Sequence, residues 1–208
     1  LSEFARKKVQ SQVKLNGNQA IIRHGIPKRF FNAPRFQKNF LETGEKKVLK
    51  FLYVSKIDVY KNQDRLIEVV AEFRKKEKLD VHLSLVGPAF HSSLNKIMDL
   101  KNKLDCNNEW IFYHGDVNYT SLHEYYNSYD IGVFISSCEN LPIILLEKMA
   151  SGLPMVVSDT GPMPEVVGNS AFFCDPDDKS SIYQAIRKAV YSQELRADYA
   201  KECHERAQ

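Results

Sequence analysis

Ser136–Pro164 reads S-S-C-E-N-L-P-I-I-L-L-E-K-M-A-S-G-L-P-M-V-V-S-D-T-G-P-M-P. The order of its parts decides the fold. An apolar strand over 131–135 runs into a turn carrying Glu139, an almost wholly apolar helix is expected over 141–151, and another apolar strand follows over 154–158. A helix that is apolar on every side is a buried one, so an ionised Glu147 inside it requires a partner or a ligand.

Working outward, the same alternation fills the chain from Val48. The periodicity predicts strands at 48–55, 81–86, 110–114 and 171–174, and helices at 64–76, 91–104, 121–129, 163–167, 179–191 and 193–207. About six near-continuous apolar strands separated by helices argue for an α/β fold, a parallel sheet covered on both faces. Ahead of it, Ser2 is expected to cap a short basic helix ending near Asn16-Gly17, Gln19–Arg23 to form a brief strand, and 28–47 to be a connector. The chain thus divides into 1–47, packing on the rest, and a domain over 48–208. It starts at Leu1, without a methionine and almost within a helix, and reads as a fragment.

The 208 residues are 43% hydrophobic and 26% charged, ordinary for a globular protein with a real core. A net charge of +3 suits an anionic small molecule or an acidic membrane surface and is too weak to indicate nucleic acid. Cys106, Cys138, Cys174 and Cys203 form no C-x-x-C pair and no zinc spacing, which reads as a reduced, cytoplasmic chain. No apolar run reaches the ~20 residues a membrane span requires, so the chain reads as soluble or peripheral.

In an open parallel sheet, ligands bind beyond the carboxyl ends of the strands. Those ends carry Lys56 and Lys61 after the first strand, Gly87-Pro88 after the second, Gly115-Asp116-Val117 after the third and Glu139 after the fourth. No G-x-G-x-x-G and no P-loop is present, so nicotinamide, flavin and P-loop chemistry lose ground. The two lysines can hold a diphosphate from one side. The free N–H groups at the helix start, those of Leu141, Ile143 and Ile144 behind an Asn140 N-cap and a first-turn Pro142, hold it from the other. Glu139 then suits sugar hydroxyls and Glu147 a pair of ribose hydroxyls.

Glu139 and Glu147, followed by K-M-A-S-G-L-P-M-V-V-S-D, resemble the E-x7-E motif of the retaining GT-B glycosyltransferases of group 1. The similarity extends to F-L-Y-V-S-K-I-D-V-Y-K-N-Q-D-R-L-I, L-V-G-P, Y-H-G-D-V, G-P-M-P-E-V-V-G, Asp175-Pro176 and I-I-R-H-G-I-P. The resemblance implies the Rossmann-like, donor-binding half of a GT-B fold, with an N-terminal acceptor domain outside this chain. It implies a UDP- or GDP-sugar as co-substrate, no cofactor and no metal, and transfer of a hexose or related sugar to a glycan or lipid-linked acceptor. Polysaccharide or lipopolysaccharide assembly at the inner face of a membrane is the implied setting, with peripheral membrane association of the full-length protein.

Carried over, Lys56, Lys61 and Glu139 are the catalytic group. Glu147, Gly87, Asp116 and Val117 bind the donor together with Asn140, Leu141, Pro142 and Ile143, the last four through the main chain. This sequence departs from the family pattern in Ser55 and Asn62 for glycines, Lys56 for an arginine, and Asn140-Leu141-Pro142 for G-F-G. Lysine keeps the charge and loses the bidentate fork.

Plainer readings stand beside these. Surface lysines are mostly solvated, Glu139 suits a helix dipole and Glu147 a buried salt bridge. His24, His114, Asp159 and Glu165 suit packing or capping, Cys138 packing, and Tyr125, Tyr126 and Tyr129 core and rim. Two other functions share the pattern: an epimerase- or phosphorylase-like enzyme, and a non-catalytic nucleotide-sugar-binding regulatory domain.

Overall fold

The computed structural model describes residues 2–14, 16–22, 24–40 and 48–208. The apolar run after Val48 forms β1 (Leu49–Val54), buried at every position except Lys50. It does not alternate because both its faces are covered. Phe51 and Tyr53 pack with Leu66, Ile67, Val70 and Phe73 of α2 (Gln63–Glu77). Leu52 and Val54 pack with Phe30 of the connector and with Leu122 and Tyr126 of α4 (Leu122–Ser128).

The other strands are β2 (Val81–Val86), β3 (Ile111–Tyr113), β4 (Ile131–Phe134), β5 (Met155–Ser158) and β6 (Phe172–Cys174). Between and after them lie α3 (His91–Leu104), α5 (Ile143–Ala150), α6 (Met163–Val167), α7 (Lys179–Tyr191) and α8 (Gln193–Ala207). The strands form one sheet in the order β3-β2-β1-β4-β5-β6, and every pairing is parallel. The β1–β2 register runs from Leu49 opposite Val81 to Val54 opposite Val86, while β1 meets β4 through Phe51–Ile131 and Leu52–Gly132. Strand order reverses between β1 and β4, so the ligand crevice of such a sheet lies there.

Three local expectations are corrected. The first helix, α1 (Glu3–Gln10), stops well before Asn16: Ser11 is its C-cap, its N–H bonding to Lys7 O and its hydroxyl to Lys8 O. Residues 19–22 form no strand and are largely exposed, and Arg23 lies outside the described residues. The N-cap of α5 is Pro142 and not Asn140. A residue preceding proline is held extended, so Leu141 cannot be helical. The capping at Ser2 is as expected, its hydroxyl accepting from Ala5 N–H at 3.1 Å.

Candidate functional site

The loops after β1 and β4 meet at the point of strand reversal. A 3-10 turn at Val59–Lys61 follows β1, and Asn62 leaves it in the left-handed conformation, φ 57°. Asparagine tolerates that conformation better than most side chains, which accounts for its standing where the family pattern has glycine. Its Nδ2 donates to Ile135 O at 2.9 Å. Tyr60 O accepts from Ser137 N–H at 2.9 Å and from the Ser136 and Ser137 hydroxyls at 3.3 and 3.2 Å. These bonds clasp the lysine turn to the glutamate loop.

Across the clasp Lys61 and Glu139 form an ion pair. The ammonium lies 4.8 Å from the Tyr60 ring centroid and 5.3 Å from that of Phe134, and the residue is only 7% exposed. So enclosed, the pair is screened far less than a surface ion pair. Two further observations fix its geometry: Tyr53 Oη donates to Lys61 O at 2.6 Å, and Ser158 Oγ donates to Ser136 O at 2.7 Å. Four residues beyond Glu139, α5 begins. Pro142 O accepts from Leu145 and Leu146, and the first helical N–H groups, of Ile143 and Ile144, open on the same turn.

Glu147 is buried, 1% exposed, and both its oxygens are held: Oε1 accepts from Tyr119 Oη at 2.8 Å and Oε2 from Tyr126 Oη at 3.0 Å. Burial raises its pKa above the usual carboxylate value, while the tyrosine bonds, Lys148 and Arg29 act in the other direction. Tyr126 is core, whereas Tyr119 is 46% exposed, under the Arg29 guanidinium at 4.6 Å and beside Phe30 at 5.5 Å. A carboxylate has about four lone-pair sites, so each Glu147 oxygen keeps acceptor capacity beyond its tyrosine. The two tyrosine partners were not readable from the sequence, since Tyr119 lies outside any helical or strand pattern and Tyr126 reads as core.

Lys56 stands apart from the pair, its ammonium 3.1 Å from the ring centroid of Phe90, which is itself half exposed. Gly87 has a structural reason for being glycine: φ is 136°, and a Cβ there would lie 2.3 Å from Ser55 O. Asp116 is exposed and Val117 packs at the edge of the cluster around Phe30. Asn140 O accepts from Ser2 Oγ at 2.6 Å, and the Glu165 carboxylate accepts from Glu3 and Phe4 N–H at 2.7 and 2.9 Å. Glu165 therefore holds the N-terminus of α1, and α1 is seated on the Asn140 turn. His114 packs edge-on to Tyr125, with Nε2 3.1 Å from Ser84 Oγ. His24 lines a separate cavity of about 620 Å³ with Leu141, Glu165 and Arg206. Burial pushes the Cys174 and Cys203 thiols up to about 12, too high for thiolate chemistry. Among the described residues no helix is long and apolar enough to cross a membrane.

A family model described as "Glycosyl transferases group 1" matches residues 35–206. The plant protein sulfoquinovosyl transferase SQD2 of Arabidopsis thaliana is 26% identical over 192 residues, 87% of this chain and 35% of that protein. Sucrose-phosphate synthase from Thermosynechococcus elongatus superposes with a TM-score of 0.83 at 20% identity, over all of this chain and 52% of its own. The Anabaena protein HepE, solved in complex with UDP, gives 0.67 at 19% identity over 76% of this chain and 43% of its own. The chain thus spans about half or less of the length of these proteins, and the structural likenesses carry the fold alone. With the family model covering most of its length, the chain belongs to the group 1 glycosyl transferases.

Proposed function

We propose that this domain binds the nucleotide-sugar donor, UDP- or GDP-linked, of a retaining glycosyltransferase. The observation that carries the reading is the enclosed Lys61–Glu139 pair at the strand reversal, directly ahead of the open N–H groups of α5. A diphosphate is suited to that place: it competes with Glu139 for the Lys61 ammonium and accepts from the N–H groups of Ile143 and Ile144. Glu139, once released, accepts hydroxyls of the transferred sugar. Glu147 accepts the ribose hydroxyls in place of Tyr119, while Asp116 and Val117 lie on the base side and Gly87 lets the β2 loop approach. Asn140, Leu141 and Pro142 meet the sugar and phosphate through the main chain.

The chemistry is departure of a nucleoside diphosphate. Lys61, with Lys56 after its ammonium leaves Phe90, and the α5 N-terminus stabilise the charge that develops on it; the step is assigned to these cations and not to a metal. The acceptor, a glycan or lipid-linked molecule of polysaccharide or lipopolysaccharide assembly, is held by a part of the full-length protein outside these 208 residues, at the inner face of a membrane. The UDP complex of HepE supports a uridine nucleotide. Calorimetric titration of UDP, UDP-sugars and GDP tests the site. Binding that falls at least about ten-fold in Lys61→Ala and in Glu147→Ala, the loss of about 1.4 kcal/mol each, is the expected result; unchanged affinity in both sinks it.

A further inference from the structure

The residue after Glu147 is a second ionisable group in the same turn of α5, and the site described above does not use it. Lys148 is 0% exposed. Its stem passes Gly132, where an added Cβ would lie 3.4 Å from Lys148 Cδ. Its Nζ donates to Val133 O at 2.9 Å and lies 5.4 and 5.0 Å from the ring centroids of Tyr53 and Phe134. An ammonium has three donors, and one carbonyl with two ring faces replaces water poorly. Burial accordingly pushes its pKa down to about 7.

The charges that act on Lys148 belong to the site. Glu147 from its own helix and Glu139 from the loop after β4 favour its charge, and Lys61 from the turn after β1 opposes it. Tyr53, from β1, is tied to Lys61 O. The Phe134 ring is shared, with Lys61 Nζ 5.3 Å and Lys148 Nζ 5.0 Å from its centroid. In the free chain Lys61 and Glu139 neutralise each other. A diphosphate diester brings two negative charges to that place, and added negative charge favours the protonated form of a nearby ammonium.

We infer that Lys148 is a positioning residue that takes up a proton from solvent when a diphosphate ester displaces Glu139 from Lys61, and so supplies positive charge behind the bound donor. No covalent bond changes; the proton moves from buffer to Lys148 Nζ. The inference rests on the donor reading above. By linkage, proton uptake on binding makes affinity fall as pH rises, by up to about ten-fold per pH unit between the free and bound pKa values of the group.

UDP-glucose and GDP-mannose, whose diphosphate diesters do not titrate near neutrality, are titrated by calorimetry into the chain. The range is about pH 6.5 to 8.5, in two buffers of different ionisation enthalpy. The expected result is an apparent enthalpy that depends on the buffer, up to one proton taken up per ligand, and weaker binding at the alkaline end. Lys148→Met, close in volume, is expected to lose both effects and to bind at every pH with the weak affinity the native chain has at high pH. Should that variant fail to fold, Lys148→Leu carries the same comparison. Binding that is flat in pH and independent of buffer, or a slope that persists in Lys148→Met, overturns the role of Lys148 and leaves the donor reading standing. Absence of binding by either ester across the range overturns both.

Discussion

Lys61 and Glu139 neutralise each other in an enclosed place, so an anion that takes the Lys61 ammonium must displace Glu139. Glu139→Gln keeps the shape and releases the ammonium. UDP, which has no sugar, is expected to bind it about three- to ten-fold more tightly, the scale of one charge-assisted contact, while a UDP-sugar loses the hydroxyl contact and gains less. Calorimetry on the two ligands side by side reads the difference; equal gains for both deny Glu139 a sugar contact. Lys148 makes a second, thermodynamic prediction. Its folded pKa, about 7, lies below the usual lysine value, so the unfolded chain binds its proton more tightly and native stability falls as pH drops from about 10.5 towards 7. Lys148→Met removes that fall. It is expected to be more stable than the native chain by a few kcal/mol below pH 7, with the gap closing as pH rises; parallel urea curves at several pH values check it, and a pH-independent gap contradicts it. Neither this lysine's burial nor the tyrosines on Glu147 was legible in the sequence. A lysine beside a glutamate in a short helix faces sheet or solvent according to the helix's rotation, which only the packing of α5 reveals.

At the scale of elements, the boundaries read from periodicity coincide with the structure where apolar spacing and turn residues agree, as in α3, α7 and α8. They fail where a local steric rule competes. Leu141-Pro142 delays α5 to Ile143, which drops Leu141 from the expected first-turn N–H groups, keeps Ile143 and Ile144, and leaves the Asn140 carbonyl to bond with Ser2. Residues 19–22 look like a strand by composition, but the described sheet is built from six strands that begin at Leu49. The carboxyl ends of β1 and β2 are held together at Gly87, whose missing side chain lets Ser55 O approach. Gly87→Ala forces a Cβ to 2.3 Å from that oxygen at φ 136°, a combination of overpacking and backbone strain costing about 3 kcal/mol or more. Urea denaturation is expected to show a correspondingly lower midpoint. A midpoint within about 0.5 kcal/mol of the native value contradicts the close approach.

Across the whole molecule, the parallel α/β sheet was readable because strands buried on both faces are apolar throughout. The attachment of the leading segment was not. Arg35 donates to the carbonyls of Tyr126, Asn127 and Tyr129 at the end of α4, and the buried Arg196 of α8 to those of Ala189, Val190 and Lys38. Such arginine-to-carbonyl ties leave no sequence pattern, yet with Phe30 they make the connector part of the body that carries the site. The Lys61 turn and the cavity of about 620 Å³ beside His24, Glu165 and Arg206 are distinct places on that body. A crystal of the chain soaked with UDP separates them. The expected result is a diphosphate between Lys61 Nζ and the N–H groups of Ile143 and Ile144, with Lys61 parted from Glu139 and the ribose on Glu147 where Tyr119 stood. UDP bound in the other cavity, with the Lys61–Glu139 pair intact, contradicts it.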